Sequence, residues 1–128
     1  MRKLLQRGIG KKCWELCRKI VKCRAENKCE ICEARNELQV DHCFEESVSR
    51  LLFDTKNLTL LCSACHTKKS FKVNGFEKVV DQIVQAREGW KWWNNAMTVA
   101  QSMKPCKYTI TDLEGIHDNL RRELELIK

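Results

Sequence analysis

Long apolar stretches are what this 128-residue chain lacks most plainly. No run approaches the roughly 20 apolar residues that a membrane-spanning helix needs, and the opening residues, MRKLLQRGIGKK, contain no apolar leader segment. No low-complexity tract is present, and nothing repeats apart from two Cys-x-x-Cys pairs. Proline is nearly missing: the single one, Pro105, interrupts anything regular across residues 90–108. Cysteine, by contrast, is abundant, but the nine residues are odd in number and unevenly spread. That pattern argues against a secreted disulfide scaffold. The expected setting is a reducing cytoplasm in which thiolates hold metal, with no membrane partner. A chain of this length suits one small domain, which a metal staple would help to stabilise.

The net charge is +7, and its distribution is more informative than its size. Residues 1–24 carry nine Lys/Arg and one acid, whereas residues 25–54 carry three bases and eight acids. Residues 55–93 are basic again, and residues 94–128 balance. Two basic segments on either side of an acidic centre suit a polyanion gripped around a metal-binding middle, which points to nucleic acid. A merely solvated helix face is the alternative for any single lysine run.

Apolar spacing predicts a helix over residues 11–26, with Cys13, Leu16, Cys17 and Ile20 on one face. Lys12, Glu15, Lys19 and Lys22 form the other. Gly8 and Gly10 suggest an irregular or hinged stretch over residues 1–10. Leu38, Val40 and His42 suit one short strand, Leu58 to Leu61 a second, and a helix is expected from about Ser63. Phe76, Val79, Val80, Ile83 and Val84 make another helical stripe ending near Gly89. A last helix is expected from Thr111, whose spacing to Glu114 fits a capping box, with Leu113, Ile116, Leu120, Leu124 and Ile127 along one face. The organisation is a basic N-terminal segment (1–27), a metal core (28–73) and a helical C-terminal region (74–128). That last region belongs to the same compact domain or serves as a dimerisation appendage.

Cys29-x-x-Cys32 and Cys62-x-x-Cys65 carry the chemistry. Each pair lets one tight turn present two thiolates, and four thiolates make a closed structural zinc site whose binding energy is part of the folding energy. Simple zinc-binding modules share that signal. What sets this chain apart is the Asp41-His42 pair between the knuckles and His66 directly after the second. A carboxylate with imidazoles and open positions suits Mg²⁺ or Mn²⁺ better than a closed zinc site, and a neutral imidazole is suited to take a proton from water.

Residues 28–71 resemble the zinc-stapled branch of the HNH, or ββα-metal, nuclease superfamily. The resemblance rests on Cys29-x-x-Cys32, Asp41-His42, Asn57-Leu58 and Leu61-Cys62-x-x-Cys65-His66-x-x-Lys69. It implies an α+β fold with a small zinc-bound core, a basic N-terminal helix and C-terminal helices. It further implies that Asp41 and His66 hold the catalytic ion, that His42 is the general base, and that Asn57 braces the loop that aims it. The implied activity is metal-dependent hydrolysis of DNA phosphodiesters. In place of the common Pro-Gly-Gly turn the chain runs Cys43-Phe44-Glu45-Glu46-Ser47. That stretch, with the flanks, looks more like the NinG/Rap phage recombination nucleases, which implies phage origin, branched DNA as substrate and a homodimer making paired cuts. A zinc-stabilised binding or assembly protein without catalysis is the competing reading.

Arg50, Lys56, Lys68, Lys69 and Lys72 lie near the motif in sequence and, with Lys12, Lys19 and Lys22, are the candidate phosphate contacts. Trp90, Trp92 and Trp93 are read as a packing cluster, with stacking on unpaired bases as the alternative. Cys13, Cys17 and Cys23 have no evident fourth ligand and are read as core. His117 is expected to face solvent.

Overall fold

The computed structural model of this chain describes residues 2–102 and 105–128; Met1, Met103 and Lys104, from the stretches 1–10 and 90–108, lie outside the described residues. Two helices open the fold, α1 (Arg2–Gln6) and α2 (Gly8–Arg24). Strands β1 (Leu38–His42) and β2 (Leu58–Cys62) then pair antiparallel, with Leu38 opposite Cys62 and His42 opposite Leu58. Helix α3 (Ser63–Ser70) leaves β2 without an intervening loop. Helices α4 (Phe76–Glu88), α5 (Trp90–Ser102) and α6 (Ile110–Ile127) complete an α+β arrangement. Among the described residues no helix is long and apolar enough to cross a membrane.

All five residues of β2 are buried, because both faces of the strand are covered. Leu58 and Leu60 join the larger core with Cys13, Cys17, Ile20 and Val21 of α2 and Leu113, Leu120 and Leu124 of α6. Leu61 and Cys62 join a smaller one with Cys29, Cys65 and Val80. Each fully buried leucine contributes about 1.5–3 kcal/mol. The strand therefore ties the four-cysteine knuckles to the helical body. Cys13 and Cys17 are fully buried, with their sulfurs turned to the carbonyl oxygens of Leu113 and Phe53. Burial raises both thiols, so they pack as small apolar side chains, as the sequence suggests.

Four expectations are corrected: Cys23 is exposed rather than part of the core, and three concern the helices. Residues 2–10 are helical rather than irregular, with one break at Arg7, followed by Gly8 with a φ of +54°. Gly10 is not a hinge: a Cβ there would lie 2.0 Å from the Leu4 carbonyl oxygen, so glycine lets α1 close onto α2 and seat Leu5 in the core. Residues 90–102 form a full helix, since Pro105 lies beyond its end. The capping box of the last helix is Thr109 with Asp112, two residues earlier than Thr111 with Glu114; Asp112 N–H donates to Thr109 Oγ1 at 3.0 Å, and Thr109 N–H donates to Asp112 Oδ2 at 2.9 Å.

Candidate active site and metal centre

The sulfurs of Cys29, Cys32, Cys62 and Cys65 all lie within 4.8 Å of one another. Cys32 and Cys62 Sγ are 3.6 Å apart, and tetrahedral zinc with bonds of about 2.3 Å sets sulfurs about 3.8 Å apart. The donor set therefore fits zinc. At Cys29 burial is outweighed by backbone hydrogen bonds around Cys32, Cys62 and Ile31, and its thiol falls to about 7. At Cys65, burial and then the hydrogen bonds of the neighbouring sulfurs push the thiol up. Four sulfurs crowded into one small volume shed their protons unequally until an ion relieves them. Cys62 also caps α3, its Sγ accepting from Cys65 N–H at 3.5 Å, so the knuckle fixes where that helix begins. Glu30 in the first knuckle accepts from Leu60 N–H and pairs with Arg87 of α4 at 2.8 Å, which ties knuckle, strand and helix together.

β1 ends at His42, and there Asp41 and His42 enter one cleft of about 520 Å³ with His66, Lys69 and Lys72. Asp41 Oδ1 stands 3.3 Å from His66 Nε2 on α3. Its Oδ2 pairs with Lys69, one helical turn further along, whose Nζ also donates to the His42 carbonyl at 2.8 Å. Glu45, Glu46, Glu77 and Asp81 line the cleft as well, so carboxylates outnumber ammoniums five to two. Such a cleft attracts cations.

His42 is 7% exposed, its ring stacked on Trp14 of α2 at 5.0 Å and 11°. Its Nε2 lies 3.0 Å from the Leu52 carbonyl, a partner that fixes the proton on Nε2 and leaves the Nδ1 lone pair free. Nδ1 is 4.0 Å from Glu46 Oε1. Burial lowers the His42 pKa, with the Leu52 carbonyl, Glu46 and Asp41 opposing in turn, so the ring is neutral at neutral pH.

The carbonyl that holds His42 belongs to a loop held by Asn57. Fully buried, Asn57 accepts from Phe44 N–H at 2.6 Å and donates to the carbonyls of Phe44 at 3.0 Å and Leu51 at 3.1 Å. One amide thus pins both ends of the excursion from residue 43 to residue 56.

The other sequence candidates are dispersed. Lys72 lines the cleft, and Lys68 sits over the Phe76 ring at 5.4 Å. Arg50 and Lys56 line a different depression with Tyr108 and Glu123. Lys19 and Lys22 stand with Glu15 and Arg18 on the outer face of α2, and Lys12 stands beside His117 and Asp118 of α6. Trp92 and Trp93 pack on Phe44, and Trp92 Nε1 donates to Asp54 at 3.1 Å, while Trp90 is exposed. Sequence reading missed Trp14 over His42, the Leu52 carbonyl and Glu46. Only the position of Trp14 inside a cysteine-rich helical face signals it.

Residues 29–72 match the family model described as HNH endonuclease. No curated protein and no solved structure matches the chain. The matched segment holds the two strands, α3 and both cysteine knuckles. Residues 29–72 are thus similar to an HNH endonuclease domain, and they carry the four cysteines placed to hold zinc.

Proposed function

We propose that this protein is a metal-dependent DNA endonuclease in which His42 is the general base. The observation that carries the reading is the juxtaposition of Asp41 Oδ1 and His66 Nε2, 3.3 Å apart, in the cleft that His42 also lines. Two protein ligands leave room for water and phosphate, which suits Mg²⁺ or Mn²⁺. Among the described residues only the four cysteines form a group of three or more donors, so this second site is an open one. An ion held by Asp41 and His66 would supply positive charge to the phosphoryl oxygens and the departing 3′ oxygen.

The chain's own residues do the rest. His42 Nδ1 takes a proton from water while Nε2–H stays on the Leu52 carbonyl, so the ring cannot turn. Glu46, 4.0 Å from Nδ1, stabilises the imidazolium that forms. Asn57 is a positioning residue acting through the loop that carries Leu52. Water attack with loss of the 3′ oxygen leaves 5′-phosphate and 3′-hydroxyl ends. Lys12, Lys19, Lys22, Arg50, Lys56, Lys68, Lys69 and Lys72, spread over several faces, would supply phosphate contacts that position DNA without reading its bases. Branched recombination DNA cut by a homodimer is the finer reading, supported by the likeness of the flanks to NinG/Rap nucleases.

The test is a cleavage panel on linear, nicked, single-stranded and four-way-junction DNA, with and without Mg²⁺ or Mn²⁺. His42→Ala is expected to abolish cleavage while zinc content and circular dichroism stay unchanged. Full activity in that variant would overturn the assignment of the base. Equal cutting of duplex and junction would remove the branched-DNA reading, and salt-sensitive binding without metal-stimulated cleavage would leave a binding module.

A further inference from the structure

We propose that Lys69 is the built-in counter-ion of Asp41: its ammonium holds the carboxylate in the free protein, keeps divalent-ion loading weak, and yields when a DNA phosphate arrives. The inference rests on reading Asp41 and His66 as ion ligands. His66 and Lys69 stand one turn apart on α3 and approach the same carboxylate from its two oxygens, His66 at Oδ1 and Lys69 at Oδ2. Lys69 also donates to the His42 carbonyl at 2.8 Å, and its side chain is only 15% exposed. A lysine on a short exposed helix ordinarily keeps its ammonium in water; this one is directed inward onto two acceptors. There it neutralises a carboxylate that is itself 14% exposed.

A divalent ion at Oδ1 and an ammonium at Oδ2 repel across a few ångströms, so each weakens the hold of the other. Partners that accept from a metal ligand raise its basicity; a cation bonded to the ligand does the opposite. A phosphate attracts both cations. The flexible lysine stem lets the ammonium transfer from Asp41 to an incoming phosphate oxygen, with Lys72 beside it in the cleft. The expected order is DNA first, then tight ion loading.

Mn²⁺ binding to the zinc-loaded full chain, without DNA, is read from the loss of the free-ion electron paramagnetic resonance signal. Lys69→Gln and Lys69→Met (which keeps the buried stem) are expected to bind Mn²⁺ at least about tenfold tighter than the wild type. Lys69→Arg, which keeps the charge, should bind as weakly as the wild type. Equal affinity in all four proteins overturns the counter-ion role. Asp41→Asn separates the two readings. If it abolishes Mn²⁺ binding, equal affinities in the Lys69 series sink only the role of Lys69. If it leaves binding intact, the ion site itself is wrong and the inference falls with it. In cleavage assays the half-saturating Mn²⁺ concentrations of wild type and Lys69→Gln should converge, since phosphate has already drawn the wild-type ammonium away. A persisting tenfold gap would overturn loading gated by substrate.

Discussion

Asn57→Ala probes the link between fold and chemistry most directly. The side chain is fully buried and makes three hydrogen bonds, to Phe44 N–H and to the carbonyls of Phe44 and Leu51. At about 0.5–1.5 kcal/mol net for each bond, their loss removes roughly 2–4 kcal/mol. For a chain of this size that corresponds to a fall in Tm of roughly 8–15 °C. The local consequence is larger than the global one. Residues 43–56 lose the clamp at both ends, and with it the fixed position of the Leu52 carbonyl that orients His42. Cleavage should therefore fall by at least about tenfold at a temperature where the variant remains folded, with zinc still bound. Asn57→Asp sharpens the test. The new oxygen would face two carbonyls instead of donating to them, and burial penalises the charged carboxylate. That variant should be less stable than Asn57→Ala near neutral pH. It should recover as pH falls, because its folded-state pKa is raised and the protonated carboxyl regains a donor. Calorimetric melting and single-turnover cleavage provide the two readouts. An Asn57→Ala protein that melts within 1–2 °C of wild type and cuts at full rate would refute the bracing argument.

Three further outcomes are expected. Gly10→Ala should lower Tm by a few degrees in thermal melts and free α1 for early proteolysis, because a Cβ meets the Leu4 carbonyl at 2.0 Å. Trp14→Ala should shift the acid limb of the cleavage–pH profile upward. The wild-type His42 pKa lies below 6.5 through burial, and uncovering the ring lets it rise toward that value. By the same linkage, the unfolded chain binds a proton near pH 6.5 that the folded chain does not. The His42 contribution to stability thus declines as pH drops below that point, and the decline should be shallower in Trp14→Ala. Removing zinc with a chelator should release one equivalent per chain, measured colorimetrically, and erase the near-ultraviolet dichroism of the β1–β2–α3 unit.

Much of the site is written in local spacing. Cys29/Cys32 and Cys62/Cys65 are legible because a knuckle needs only four consecutive residues, and both pairs do converge. The helices over 76–88 and along the Leu113–Leu124 stripe are legible from apolar period alone. The helical state of residues 2–10 is not legible locally, because a glycine reads as flexibility until a neighbouring helix shows that it serves close approach. The cap of the last helix lies two residues earlier than expected because Thr109/Asp112 and Thr111/Glu114 offer the same local chemistry, and Asp112 reaches back to Thr109 at short range. Arg50 and Lys56, near the motif in sequence, face another depression.

The sequence by itself determined the ligand types, their order and their zinc-type spacing, since those depend on residue chemistry and short-range geometry. Only the tertiary structure decided that Lys69 turns inward onto Asp41, that Trp14 covers His42, and that a carbonyl ten residues away sets the imidazole proton. Each of these joins elements distant in the chain, and their approach is fixed by the burial of β2 between two cores rather than by any local pattern.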